Sequence, residues 1–108
     1  MQLLILVASH LANPVMRAAQ ESLLQLLDTR KFAYTTIDCT EPEHRELRTA
    51  AWAISGKRAL YPQVFLRSVG SGTEAMKFVG DWDMLSELNE NNEEFGGLDK
   101  ALEGVERK

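Results

Sequence analysis

The chain of 108 residues holds one cysteine, three prolines and only 7% aromatic residues, and the first two scarcities each exclude a function. Cys39 alone cannot form an intramolecular disulfide, which excludes a disulfide-stapled secreted scaffold and any dithiol redox centre within the chain. Three prolines without a Pro-x-x-Pro spacing supply no preformed polyproline II ligand. Basic residues are also in deficit. Twelve Lys and Arg stand against sixteen Asp and Glu, a formal charge of −4, so the chain lacks the electrostatic footprint of a nucleic-acid or anionic-membrane binder. The opening apolar stretch, Gln2–Ala8, has no basic flank and is too short for a signal core or a spanning helix. These absences predict a soluble cytoplasmic protein, and the length suits one compact domain.

What is present is an alternation of strand and helix signals. Leu3-Leu4-Ile5-Leu6-Val7 is apolar without alternation, the pattern of a strand covered on both faces. Asn13 offers a side-chain cap and Pro14 the first helical position, and Met16, Ala19, Leu23, Leu26 and Leu27 then recur at helical steps to about Thr29. Ala33–Ile37 reads as a second strand, because it is β-branched and aromatic. Thr40-Glu41-Pro42-Glu43 has the form of a capping box ahead of a helix whose face is Leu47, Ala50, Ala51 and Ile54, ended by Gly56. Gln63–Leu66 and Ala75–Val79 are short strands flanking a Gly70-Ser71-Gly72 tip, and Asp81 caps a third helix that places Trp82, Leu85 and Leu88 inward and stops at Asn91-Asn92. After Gly96-Gly97, Leu98, Ala101, Leu102 and Val105 keep helical spacing, although Gly104 interrupts it. The order β-α-β-α-β-β-α, with a right-handed crossover, gives an α/β fold: a four-stranded mixed sheet with helices on both faces, the thioredoxin/glutaredoxin-like plan. Residues 1–92 form that domain, and residues 93–108 a C-terminal tail with a short helix.

Two segments carry a resemblance to a known family. Tyr61-Pro62-Gln63-Val64-Phe65 resembles the stretch of glutaredoxin-like proteins in which a cis-proline precedes the third strand. Val79-Gly80-Asp81-Trp82-Asp83, running on to Glu90-Asn91-Asn92, resembles the Gly-Asp-aromatic-Asp helix of the SH3-domain-binding glutamic acid-rich-like family, small glutaredoxin-like proteins without the redox cysteines. The similarity covers about residues 1–92. It implies a cis Tyr61–Pro62 bond and a redox-inactive adaptor that binds other proteins. The chain departs from better-known members in two places. Lys57-Arg58-Ala59-Leu60 stands where they carry a proline-rich stretch, and the tail, with five acids against Lys100, Arg107 and Lys108, is not glutamate-rich. SH3 binding therefore does not follow from the resemblance.

The candidate chemistry is sparse. A glutaredoxin thiolate lies in the loop entering the first helix, where the helix N-terminus lowers its pKa. Here that loop is Ser9-His10-Leu11-Ala12-Asn13-Pro14-Val15, with Ala12 and Val15 near the two cysteine positions, so no redox nucleophile is present. Ser9 and His10 lack a readable third group or oxyanion arrangement, and a polar loop explains both. Cys39 reads as a small buried hydrophobe, and Asp38, Cys39, Glu41 and His44 match no metal-site spacing. No catalytic residue, metal or cofactor is expected. A glutathione-like groove would use Tyr61, Pro62, Gly80 and Asp81. An Asp81 cap would occupy the helix N–H groups that receive a carboxylate, and Ser9 stands where glutaredoxins place a basic residue. Trp52, opposite the apolar face of the second helix, is a candidate exposed protein-contact residue. The expected function is a non-catalytic interaction module for an unidentified protein partner, as a monomer or weak homodimer. The alternative is a protein that binds glutathione weakly or keeps residual redox activity.

Overall fold

Leu3 to Val7 lie in the central strand, and their burial shows why the run has no polar alternation. Leu3, Ile5 and Val7 pack on one face of the sheet, Leu4 and Leu6 on the other, and none is more than 9% exposed. A computed structural model of the chain describes residues 1–68, 76–91 and 96–108. The elements are β1 (Gln2–Val7), α1 (Pro14–Thr29), β2 (Thr35–Asp38), a 3₁₀ turn (Pro42–His44), α2 (Arg45–Ser55), β3 (Gln63–Arg67), β4 (Lys77–Asp81), α3 (Trp82–Glu90) and α4 (Gly97–Ala101). The sheet order is β2-β1-β3-β4, with β1 parallel to β2 and antiparallel to β3, and β3 antiparallel to β4. Leu23 and Leu27 of α1, Leu85 of α3 and Leu98 of α4 cover one face, and Ala51 of α2 covers the other. This is the mixed sheet with helices on both faces that the element order predicts. The Gly70-Ser71-Gly72 tip, Ala75, Asn92, Glu93 and Glu94 lie outside the described residues.

Local chemistry sets the helix ends. Asn13 Oδ1 accepts from the Val15 and Met16 N–H groups at 2.9 and 3.2 Å, with Pro14 first in α1. Asp81 Oδ1 accepts from the Met84 N–H at 3.1 Å and starts α3. Gly56, at φ 70°, closes α2 in the left-handed conformation that favours glycine.

The start and face of α2 depart from expectation. Thr40 makes no capping box; its hydroxyl donates to Asp38 Oδ1 at 2.7 Å, the 3₁₀ turn intervenes, and α2 begins at Arg45. The buried face is rotated. Ala51 is buried, Leu47 and Trp52 pack beside it, and Ile54 is 40% exposed. Burying an indole removes more apolar surface than burying Ile54, so this orientation is favoured.

The C-terminal segment belongs to the core. Leu98 and Leu102 are at most 1% exposed and join Val105, Leu27 and Phe32 in one cluster. The backbone ties it down further: Ala33 N–H donates to Glu106 O at 2.8 Å, Lys108 N–H to Lys31 O at 2.6 Å, and the N-terminal ammonium to Gly104 O at 3.1 Å. The Arg107 guanidinium lies 3.8 Å from the Phe32 ring centroid and pairs with Asp99 at 2.9 Å.

Candidate functional site

A groove of about 590 Å³ opens between the N-terminal half of α1 and the first turn of α3. Its α1 wall is short and apolar, from Pro14 and Val15 to Ala19 and Ser22. Its floor is Leu60-Tyr61-Pro62, and its far wall is Asp81, Trp82 and Asp83. The Tyr61–Pro62 peptide is cis, as the resemblance implies. Pairing of β3 begins at Gln63, so the Tyr61 main chain lies outside the ladder and beside the groove.

Two residues outside the sequence-based site set its shape. Gln63 is fully buried, and its Nε2 donates to Lys57 O at 2.6 Å and Leu60 O at 2.8 Å. This amide holds the loop that carries Leu60 and Tyr61, including Ala59 in the left-handed region at φ 55°. A polar residue opening an apolar strand was the only signal for it. The second is Asp83, which adds a second carboxylate beside Asp81 at the mouth of the groove.

The position of α3 depends on Gly80. The register slips between Val64 and Phe65, so that Gly80 pairs with Val64 while Phe78 pairs with Phe65. Gly80 therefore lies on the α3 side of the sheet, where an added Cβ would stand 2.8 Å from Met84 Cβ and 3.2 Å from Leu85 Cδ2. Of the four expected groove residues, Tyr61, Pro62 and Asp81 line the cavity, and Gly80 supports it from behind.

The remaining candidates lie elsewhere. Ser9 and His10 are exposed beside a second depression of about 540 Å³ at the α1 loop. Ser9 is engaged structurally. Its N–H donates to Asp38 Oδ1 at 3.2 Å, and because the Thr40 hydrogen is committed to Asp38, the Ser9 hydroxyl is the donor in its 3.0 Å bond to Thr40. These donors, the Thr40 hydroxyl foremost, hold the Asp38 carboxyl down at about 2. His44 Nδ1 lies 3.0 Å from Asp38 O, and since a carbonyl only accepts, Nδ1 carries the proton. Among the described residues no three His, Cys, Asp or Glu side chains converge on a position for a metal ion.

Cys39 is 3% exposed within the α2-side cluster and does not line the groove. Burial pushes its thiol up to about 11, against the smaller opposing effects of the Tyr61 hydroxyl and Arg48. Tyr61 in turn is raised to about 12, chiefly by burial. Trp52, a candidate for exposure, is half-buried against the α2-side cluster, with the Arg48 and Arg58 guanidinium carbons 5.0 and 5.8 Å from its ring centroid.

The sheet order, the two helical layers and the groove at the ends of α1 and α3 define a glutaredoxin-like thioredoxin fold. Among solved structures, the chain is similar to a buckwheat glutaredoxin–glutathione complex, with a TM-score of 0.61 and 19% identity over 92% of this chain and 77% of that one. It is also similar to the holo form of glutaredoxin C1 from Populus tremula x tremuloides, with a TM-score of 0.60 and 18% identity over 98% and 83% of the two chains. A comparison with curated protein sequences returns no match. The profile of the SH3-binding, glutamic acid-rich protein family matches residues 1–99, and the chain belongs to that family. No helix among the described residues is long and apolar enough to cross a membrane.

Proposed function

We propose that the protein is a non-catalytic, cytoplasmic interaction module of thioredoxin fold, monomeric or weakly dimeric, whose groove between α1 and α3 holds a segment of a partner protein. The observation that carries this reading is the separation of thiol and groove. The groove contains no nucleophile of redox type, and the one cysteine is buried in the α2-side cluster with its thiol raised to about 11. At neutral pH such a thiol holds almost no thiolate, and thiol–disulfide exchange requires thiolate and access together. With a net charge of −4, the chain favours proteins over nucleic acid or anionic membrane as partners.

The family description names SH3 binding, yet each proline here has a structural post. Pro14 opens α1, Pro42 opens the 3₁₀ turn, and Pro62 is buried before β3. None belongs to an extended Pro-x-x-Pro ligand, so recognition falls to the groove. Glutathione binding, the rival reading, has a glutaredoxin–glutathione complex among the fold neighbours in its favour. Against it, the groove presents two carboxylates to an anionic ligand. The deciding experiment is a glutathione-coupled disulfide reduction assay on the wild type and Cys39→Ser. We expect no turnover from either protein, and turnover by the wild type would refute the non-catalytic reading.

A further inference from the structure

The lining of the groove is one-sided in charge. Among the described residues that line it, Asp81 and Asp83 are the carboxylates, and none is a Lys, Arg or His. Neither carboxylate forms an ion pair among the described residues, where the paired acids are Asp28 and Asp99. Asp81 commits Oδ1 to the Met84 N–H, which leaves Oδ2 for another donor, and Asp83 is exposed in the first turn of the helix. The opposite wall is apolar, and Val15, 76% exposed, leaves bare hydrophobic surface at its lip.

We propose, building on the interaction-module reading, that this groove selects an extended segment of a partner protein in which an apolar side chain stands next to a lysine or arginine. The apolar side chain packs between Val15, Ala19 and Trp82, and the cation sits at the mouth between the Asp81 and Asp83 carboxylates. Small residues on the α1 wall, Ala18, Ala19 and Ser22, leave the width that a branched apolar side chain fills. Charge fixes orientation and choice of partner, because a carboxylate at the same place meets two like charges in a partly desolvated groove. Glutathione, with two carboxylates and one ammonium, is a poor occupant for that reason. An acid in the first turn of a helix also stabilises the helix itself, so the test has to read selectivity and not stability alone.

The probes are two blocked tetrapeptides, Ala-Leu-Arg-Ala and Ala-Leu-Glu-Ala, together with glutathione. Each is titrated into ¹⁵N-labelled protein while the amide signals of Met16, Ala19, Trp82 and Asp83 are followed. The arginine peptide is expected to bind about tenfold more tightly than the glutamate peptide, with the gap closing at high salt. In the double variant Asp81→Asn and Asp83→Asn the gap should fall below about twofold while the fold holds, since Asn caps a helix as well as Asp. Tighter binding of the glutamate peptide or of glutathione, or a gap that survives the double substitution, overturns the proposal. If both peptides bind the groove equally, the cation selectivity falls and the module reading stands. If neither moves the groove signals, both fall. Turnover in the disulfide assay removes the non-catalytic reading and leaves the measured selectivity in place.

Discussion

Replacing Leu98 by Ala tests whether the C-terminal segment is an appendage or part of the core. Leu98 is fully buried and packs in the cluster that includes Leu27, Leu85 and Leu102. Its neighbour Gly97 has no room for a side chain, because a Cβ there would overlap the Leu88 carbonyl at the end of α3. The site therefore cannot collapse freely around a cavity. Leu→Ala at such sites costs about 3–5 kcal/mol, the transfer term plus the cavity term. A domain of this size holds about 5–15 kcal/mol in total, so one substitution in a short terminal helix would remove a large share of it. The corresponding fall in Tm is roughly 10–20 °C. Urea unfolding followed by circular dichroism measures the change, with an unaltered m-value showing that the unfolding unit is the same. Lys100→Ala, at an exposed position of the same helix, serves as control and should shift stability by less than about 0.5 kcal/mol. A Leu98→Ala loss below about 1 kcal/mol would refute the packing argument, because a frayed tail contributes nothing to global stability.

Other perturbations address the remaining parts of the structure. Gly80→Ala should destabilise the domain by about 1–3 kcal/mol and shift the Trp82 and Asp83 amide signals, because the new methyl meets Met84 Cβ at 2.8 Å; unchanged spectra would contradict that contact. The Cys39 thiol should react with a disulfide reagent at pH 8 far more slowly in the native protein than in urea, and equal rates would place it at the surface. Asp38 has a lowered folded pKa of about 2, so its contribution is present above the unfolded value near 4 and fades as pH falls from about 4 to about 2. In Asp38→Asn that part of the acid dependence of Tm should flatten, and a slope identical to wild type would refute the assignment.

The sequence made the architecture legible wherever one local signal dominated. The unbroken Leu3–Val7 run and the Asn13-Pro14 start each had a single physical reading, and each stands in the structure; at Asp81 a helix cap competed with an anion site on the same N–H groups, and the cap is present. Around α2 the signals competed. Thr40 offered a cap to its own helix and a hydroxyl to Asp38, and the Asp38 bond prevailed together with the Ser9 contact from a loop 31 residues away. That partner is invisible at the level of spacing. The same holds for Trp52, whose burial depends on a helix rotation that exposes Ile54. In the groove, Tyr61, Pro62, Gly80 and Asp81 were readable through the family resemblance. The α1 wall and the Asp83 carboxylate emerge only when α1 and α3 are brought side by side.

One cross-strand pair joins the two sides of the groove. Gln63 stands opposite Asp81 in the β3–β4 ladder, with the Val64–Gly80 pair between it and the register slip. From one end of that pair the buried Gln63 amide reaches back to Lys57 and Leu60 and sets the floor; from the other, Asp81 caps α3 and sets the far wall. Each residue therefore does two things, a backbone bond within the sheet and a side-chain bond outside it. The slip brings Gly80 against Met84 and Leu85, so α3 approaches the sheet closely enough to hold Trp82 at the groove. Burial gives this pair a low-dielectric setting on the Gln63 side only, where an unmade amide bond costs most. The Asp81 side stays partly exposed, which lets its carboxylate meet a ligand without leaving its cap. The floor is thereby fixed by a group that solvent does not reach, while the charge that chooses the occupant remains at the mouth.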